Sequence, residues 1–202
     1  MKYKKNIEQV VALHPDYLGF IFYERSKRHF EGSIPTIPDS IKKTGVFVNA
    51  EHTFIRSMVQ KHTLNTVQLH GEESALDCKN LKDMLGPEIE IIKAFAISDD
   101  FDFSDLNVFM PFCDFFLFDT KGKERGGNGI LFDWNVLQRY DCQKPYFLSG
   151  GIGLEQSNQI KSFLNSKASE YCYAIDVNSK FESEPGIKKI KELKNFIELT
   201  KT

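Results

Sequence analysis

Two stretches in the last third of the chain have the composition of an anion site. Residues 148–153 read LSGGIG and residues 174–179 read AIDVNS, each at the end of a short apolar run. Glycines at such an exit let backbone N–H groups approach an anion closely, and a following helix adds a favourable dipole. Gly150, Gly151, Asn178 and Ser179 are the candidate donors, with Asp176 at the end of the second run. Either stretch alone reads equally well as an ordinary turn; the adjacent pair favours phosphate. Residues 118–129 (FDTKGKERGGNG) set Asp119 before a long loop in which Gly126, Gly127 and Gly129 would let the chain fold over a ligand. Asp119 has the chemistry of a general acid or base, although an isolated Asp there is more often a helix cap. Arg28, in ERSKRHF, has the fork geometry for a substrate carboxylate. On spacing alone, a solvated cluster with Arg25 and Lys27 is the better reading. His70, in VQLHGEE, reads equally as a polar contact or as a helix-start residue whose neighbours Glu72 and Glu73 favour the helix dipole. Cys78, Cys113, Cys142 and Cys172 have no histidine at a recognisable spacing and read as buried apolar residues.

The elements that must position these residues alternate. Seven short apolar runs, at 16–23, 44–49, 66–70, 90–95, 114–119, 145–149 and 171–177, are closed by polar or glycine residues, as buried parallel strands are. Helical patterns lie between them at 51–62, 73–85, 132–140, 154–164 and 187–199, with weaker ones near Ser40 and Asp105. A further helix leads the chain, from an Asn6 cap to His14. Strands alternating with helices predict βαβ units and a parallel sheet. No GxGxxG follows an early strand, so a dinucleotide fold is not supported. Seven strands behind a leading helix is the count of a (β/α)8 barrel without its first strand; periodicity alone leaves a doubly wound sheet open. In such a barrel the working residues sit at the C-terminal strand ends, where Asp119, His70, Asp176 and the LSGGIG exit fall.

Composition narrows the partners. A chain of 202 residues fits one domain, spanning 1–202. Basic and acidic residues nearly cancel, 26 against 28, and no basic run appears, so nucleic acid is not favoured. The cysteines form no CxxC pair, so a zinc site is not expected, and disulfides are not expected without a secretion signal. No apolar run approaches the ~18 residues that span a membrane, and the cytoplasm is the default location. A small phosphorylated molecule is the expected ligand; a homodimer is compatible with the sequence.

Taken in series, PDYLGFIFYERSKR (15–28), GVFVN (45–49), VQLHGEE (67–73), the FDT…GGNG…FDW stretch (118–134), LSGGI (148–152) and DVNSKFE…PG (176–186) resemble the phosphoribosylanthranilate isomerase family of tryptophan biosynthesis. Each motif is weak alone, but their order across nearly the whole chain is specific. The resemblance implies a phosphate-binding (β/α)8 barrel, an Amadori rearrangement of N-(5′-phosphoribosyl)anthranilate to 1-(2-carboxyphenylamino)-1-deoxyribulose 5-phosphate, and no metal or organic cofactor. Carried over by motif, Asp119 resembles the acid that protonates the ribose ring oxygen, and Arg28 the contact to the anthranilate carboxylate. Gly150, Gly151, Asn178 and Ser179 resemble the phosphate cradle, and His70 the active-site histidine. Gly127 and Asp176 fall in substrate-binding motifs. Ring opening needs a protonated acid near neutral pH, which a closed pocket favours.

Two departures from the family carry expectations. The family's first strand ends in Lys-hydrophobic-Cys-Gly, whose cysteine is the general base; MKYKKNIEQVV matches the region just after that motif. On this reading the first strand and its cysteine are missing from the sequence, with a start set too late as the favoured reason. A barrel lacking a strand leaves two ladder edges open, so the 202-residue chain is expected to be unstable, with little turnover. The alternative readings are a catalytically impaired barrel remnant that only binds, and another phosphate barrel such as indole-glycerol-phosphate synthase, whose lysine acid and glutamates the Arg28 and Asp119 contexts fit poorly. The second departure is Lys180, where many members carry glycine.

Overall fold

In a computed structural model the described residues are 1–120 and 133–200. The seven apolar runs all form strands: β1 (Tyr17–Ile21), β2 (Lys42–Phe47), β3 (Thr66–Leu69), β4 (Glu90–Ile97), β5 (Phe115–Thr120), β6 (Tyr146–Leu148) and β7 (Cys172–Ile175). They pair in parallel in chain order, β1 to β7. Chain-order pairing is the topology of a barrel, since a doubly wound sheet reverses its strand order at a switch point.

The sheet curls far enough for its ends to meet. Tyr17 of β1 packs edge-on against Phe147 of β6 at 5.1 Å and against Tyr173 of β7 at 6.3 Å, between ring centroids. Inside the curl, Ile92, Ala94, Phe115, Leu117 and Phe147 form one buried cluster with Tyr17 and Ala174 against it. A much larger core lies between the sheet and the outer helices, with Phe20, Phe47, Phe116 and Phe118 fully buried in it. The abundance of phenylalanine is therefore core filling. Among the described residues no strand pairs with the outer edge of β1 or of β7. On the β1 edge, the Met1 amine donates to the Gly19 carbonyl (2.5 Å) and the Phe30 N–H to the Ile21 carbonyl (2.8 Å).

The outer layer is α1 (Lys4–Val11), α2 (His52–His62), α3 (Ala75–Leu85), α4 (Ser157–Leu164) and α5 (Ile190–Thr200). Three expectations need correction. Asn6 does not cap α1; it sits buried inside the helix, accepts from the Lys188 N–H (2.7 Å) and donates to the Lys188 carbonyl (3.0 Å). No helix forms near Ser40, and the segments at Phe103–Phe109 and Trp134–Arg139 are 3₁₀ turns. The helix expected from residue 187 begins at Ile190, because Ile187–Lys188 (β9) pairs antiparallel with Glu182–Glu184 (β8) across a turn at Gly186, whose φ is +90°.

Candidate active site

The strand exits of β3, β5, β6 and β7 bring His70, Asp119, Gly150, Gly151 and Asp176 to one end of the barrel. Asp119, within β5, directs Oδ2 to His70 Nε2 at 3.4 Å. The His70 ring is held from its other side: Gln68 Nε2 lies 2.9 Å from His70 Nδ1. With the Gln68 amide donating there, the ring proton sits on Nε2, facing Asp119. Asp176, just past β7, accepts from the Ser149 hydroxyl (3.0 Å), which stands at the β6 exit. Desolvation, reinforced by the neighbouring Asp119 charge, pushes the Asp176 carboxyl above its usual range; the Ser149 bond and Lys188 oppose this. Two carboxylates thus share one mouth, one backed by imidazole and the other by a hydroxyl.

The loop carrying His70 is held by buried charge. Glu73 accepts from the N–H groups of Asn49 (2.7 Å) and Gly71 (2.8 Å) and pairs with Lys93 Nζ (3.2 Å). Lys93 Nζ in turn donates to the Gly71 carbonyl (2.9 Å) and the Ala94 carbonyl (3.1 Å). Asn49, with φ of +48°, accepts from Glu72 N–H (2.7 Å). Gly71 is needed here, because a Cβ would lie 2.3 Å from Asn49 Oδ1. Glu73 therefore does not serve the helix dipole as expected. Helix α3 begins after Ser74, whose capping box with Asp77 supplies that end.

Gly150 and Gly151 have φ of +95° and +66°, the left-handed region that glycine adopts freely. A Cβ on Gly150 would meet Thr120 Oγ1 at 2.3 Å and Asp119 Oδ1 at 2.8 Å. Its backbone is thus pressed against the proposed acid, and the glycine exit and Asp119 form one piece. Across from it, Asn178 accepts from Lys188 Nζ through Oδ1 (2.5 Å) and through its carbonyl (2.9 Å), and Ser179 opens a 3₁₀ turn. Lys180 keeps a negative φ, so the turn accommodates a side chain where glycine was usual. Its Nζ lies 3.7 Å from Glu155 Oε1, linking the loops after β6 and β7.

Arg28 reaches the same end because residues 22–30 double back, with His29 bridging to Ile21. It is not in a solvated cluster with Arg25 and Lys27. Its Nε donates to Glu182 Oε2 at 2.7 Å, with Glu182 almost fully buried. Gly127, like Gly126 and Gly129, lies outside the described residues. Sequence reasoning missed Glu182 and Lys188, and placed Gln68 at a strand end without giving it a role. Gln68 stood two residues before His70 on the same strand face, a signal that was available. Of the cysteines, Cys78, Cys113 and Cys142 are buried, and Cys172 begins β7 at the far end.

A parallel α/β barrel with its polar residues gathered at the C-terminal strand ends has the architecture of a barrel enzyme. The family model of N-(5′-phosphoribosyl)anthranilate (PRA) isomerase matches residues 1–199. The isomerase of Parabacteroides distasonis is 42% identical, over 98% of this chain and 89% of its own length. That of Phocaeicola vulgatus is 33% identical, over 98% and 93%. The crystal structure of phosphoribosyl anthranilate isomerase from Thermotoga maritima superposes with a TM-score of 0.78 at 30% identity, covering 99% of this chain and 95% of that one. The Thermus thermophilus structure, at 20% identity and a TM-score of 0.79, shows the same fold. The chain belongs to the PRA isomerase family, an isomerase family of tryptophan biosynthesis.

Proposed function

We propose that this chain carries out the Amadori rearrangement of N-(5′-phosphoribosyl)anthranilate with the residues gathered at the β3, β5, β6 and β7 exits. Isomerisation of that substrate is the activity of the family to which the chain belongs. The substrate phosphate sits against the backbone N–H groups of Gly150, Gly151, Asn178 and Ser179, a binding mode that needs no side-chain cation. The Arg28 guanidinium faces the aromatic carboxylate. Asp119 donates its proton to the ring oxygen as the bond from that oxygen to C1′ breaks, leaving an open-chain protonated Schiff base. Loss of its C2′ proton to a base that this set of residues does not include gives the enaminol, which tautomerises to the aminoketone. His70 holds Asp119 in place, and Asp176 binds a sugar hydroxyl. One observation carries this reading: the backbone of Gly150 packs against Asp119 itself. A phosphate seated on that loop fixes the distance from the phosphate to the acid.

A related isomerase has been crystallised with reduced 1-(o-carboxyphenylamino)-1-deoxyribulose 5-phosphate, at 28% identity and a TM-score of 0.74. We extend that small phosphorylated ligand to this chain, and with it a single barrel domain over residues 1–202. Another solved relative consists of monomers generated from the dimeric phosphoribosylanthranilate isomerase of Thermotoga maritima; a homodimer and a cytoplasmic location are part of the same reading. No described helix is long and apolar enough to cross a membrane. Titration of the chain with the reduced product tests the reading. Saturable binding that weakens on Gly150→Val supports it, and the same affinity in both proteins overturns it.

A further inference from the structure

We infer that Glu182 is a positioning residue that makes Arg28 selective for a ligand bearing an aromatic carboxylate. The inference rests on the assignment of Arg28 to that carboxylate. Glu182 is the first residue of the short hairpin after β7, and its carboxylate is 4% exposed. One oxygen, Oε2, accepts from Arg28 Nε at 2.7 Å. The other, Oε1, accepts from Lys188 Nζ at 3.0 Å and from the Gly186 N–H at 3.1 Å. Gly186 and Lys188 belong to the same hairpin as Glu182, so the carboxylate is fixed before Arg28 reaches it.

Charge and geometry then point the same way. Glu182 is neutralised by Lys188, itself buried, so the pair contributes no net charge and the Arg28 charge stays available. The Glu182 bond occupies Nε, and among the described residues no acceptor is bonded to either Nη of Arg28. An arginine held by its Nε edge presents two Nη groups in a fixed orientation, the geometry that meets a carboxylate with two parallel bonds. Without Glu182 the arginine keeps its charge but loses its orientation. The part of the affinity owed to the ligand's carboxylate should fall, while the part owed to phosphate and sugar should stay.

The test uses two probes and needs no turnover. One is the reduced product, 1-(2-carboxyphenylamino)-1-deoxyribitol 5-phosphate, and the other is its phenylamino counterpart without the carboxylate. Calorimetric titration gives the ratio of the two affinities for the unaltered chain and for Glu182→Gln. The expected result is a ratio reduced by about tenfold in Glu182→Gln, with affinity for the carboxylate-free probe unchanged. An unchanged ratio, or equal weakening of both probes, overturns the inference. If the unaltered chain shows no preference for the carboxylated probe, the assignment of Arg28 itself falls, a distinct failure. Should Glu182→Gln not fold, Glu182→Asp carries the test, because it keeps the charge and shortens the reach: a reduced ratio is expected, and an unchanged one overturns the inference. In an Arg28→Ala background the Glu182 substitution should leave the ratio where Arg28→Ala alone puts it; a further fall there would also overturn it.

Discussion

At the floor of the barrel Glu90 accepts from Tyr17 (3.2 Å), from Thr66 (3.1 Å) and from Lys42, whose ammonium also lies over the Tyr17 ring. At the mouth Asp119 and Asp176 share one space, with an imidazole and a serine hydroxyl as their polar neighbours. The floor matches each charge with an opposite one and packs it with Phe115, Phe147 and Tyr173. The mouth gathers like charges beside glycines of positive φ. Holding two carboxylates close together costs stability, and glycine in place of a packed side chain adds none. The contrast separates the part of the molecule that holds the fold from the part proposed to work on a ligand.

The largest effect belongs to the mouth. Asp119→Asn keeps the shape of the side chain but cannot deliver the proton, so turnover should drop by ~10²–10⁴-fold, the usual share of a general acid. Steady-state assay beside a thermal melt checks it, and the melt should not fall. Near-normal turnover would move the acid elsewhere, with Asp176 the first alternative.

Next comes the floor, where the pattern reverses. Glu90→Ala removes an acceptor used by three donors and should cost about 1–3 kcal/mol of stability, read from a denaturant midpoint. Affinity for the reduced product should be unchanged. If that affinity fell with stability, the separation between the two ends would be lost.

The same contrast explains what was legible in the sequence. The seven strands were readable because a parallel strand buried on both faces is one continuous apolar run, as in DFFLFD, whose core lies in β5. The strand pattern put Asp119, Gly150 and Gly151 at strand exits, but there a cap and an ordinary turn read equally well; only the series of family motifs gave these residues a role. Arg28 was not, since its spacing suggested a solvated cluster and its partner Glu182 lies 154 positions away. Asn6 was misplaced as a cap for a similar reason: the Lys188 backbone it binds is 182 positions along. The β8–β9 hairpin was hidden because Ile187 and Lys188 extend the apolar repeat of α5, and only the φ of +90° at Gly186 breaks it. Local pattern reveals elements, whereas pairing across the chain has to be seen.

The smallest effect sharpens the comparison by changing stability and function in opposite directions. Desolvation raises the Asp176 carboxyl above its usual range, with the Asp119 charge adding to it. Between the unfolded value, about 3.9, and that raised folded value, the folded chain binds more protons than the unfolded one. Stability from this group is therefore fully present below the unfolded value and is lost as pH rises through the folded value. At neutral pH, well above the unfolded value, burying this carboxyl is a cost, paid either as a desolvated charge or as a retained proton. Asp176→Asn removes it and should raise the melting temperature at pH 7 by roughly 2 °C, with a smaller gain at pH 4. Affinity for the reduced product should weaken, because the carboxylate proposed to bind a sugar hydroxyl is gone. A lower melting temperature at pH 7 would mean that Asp176 holds the barrel together through Ser149, and the mouth would then share the work of the floor.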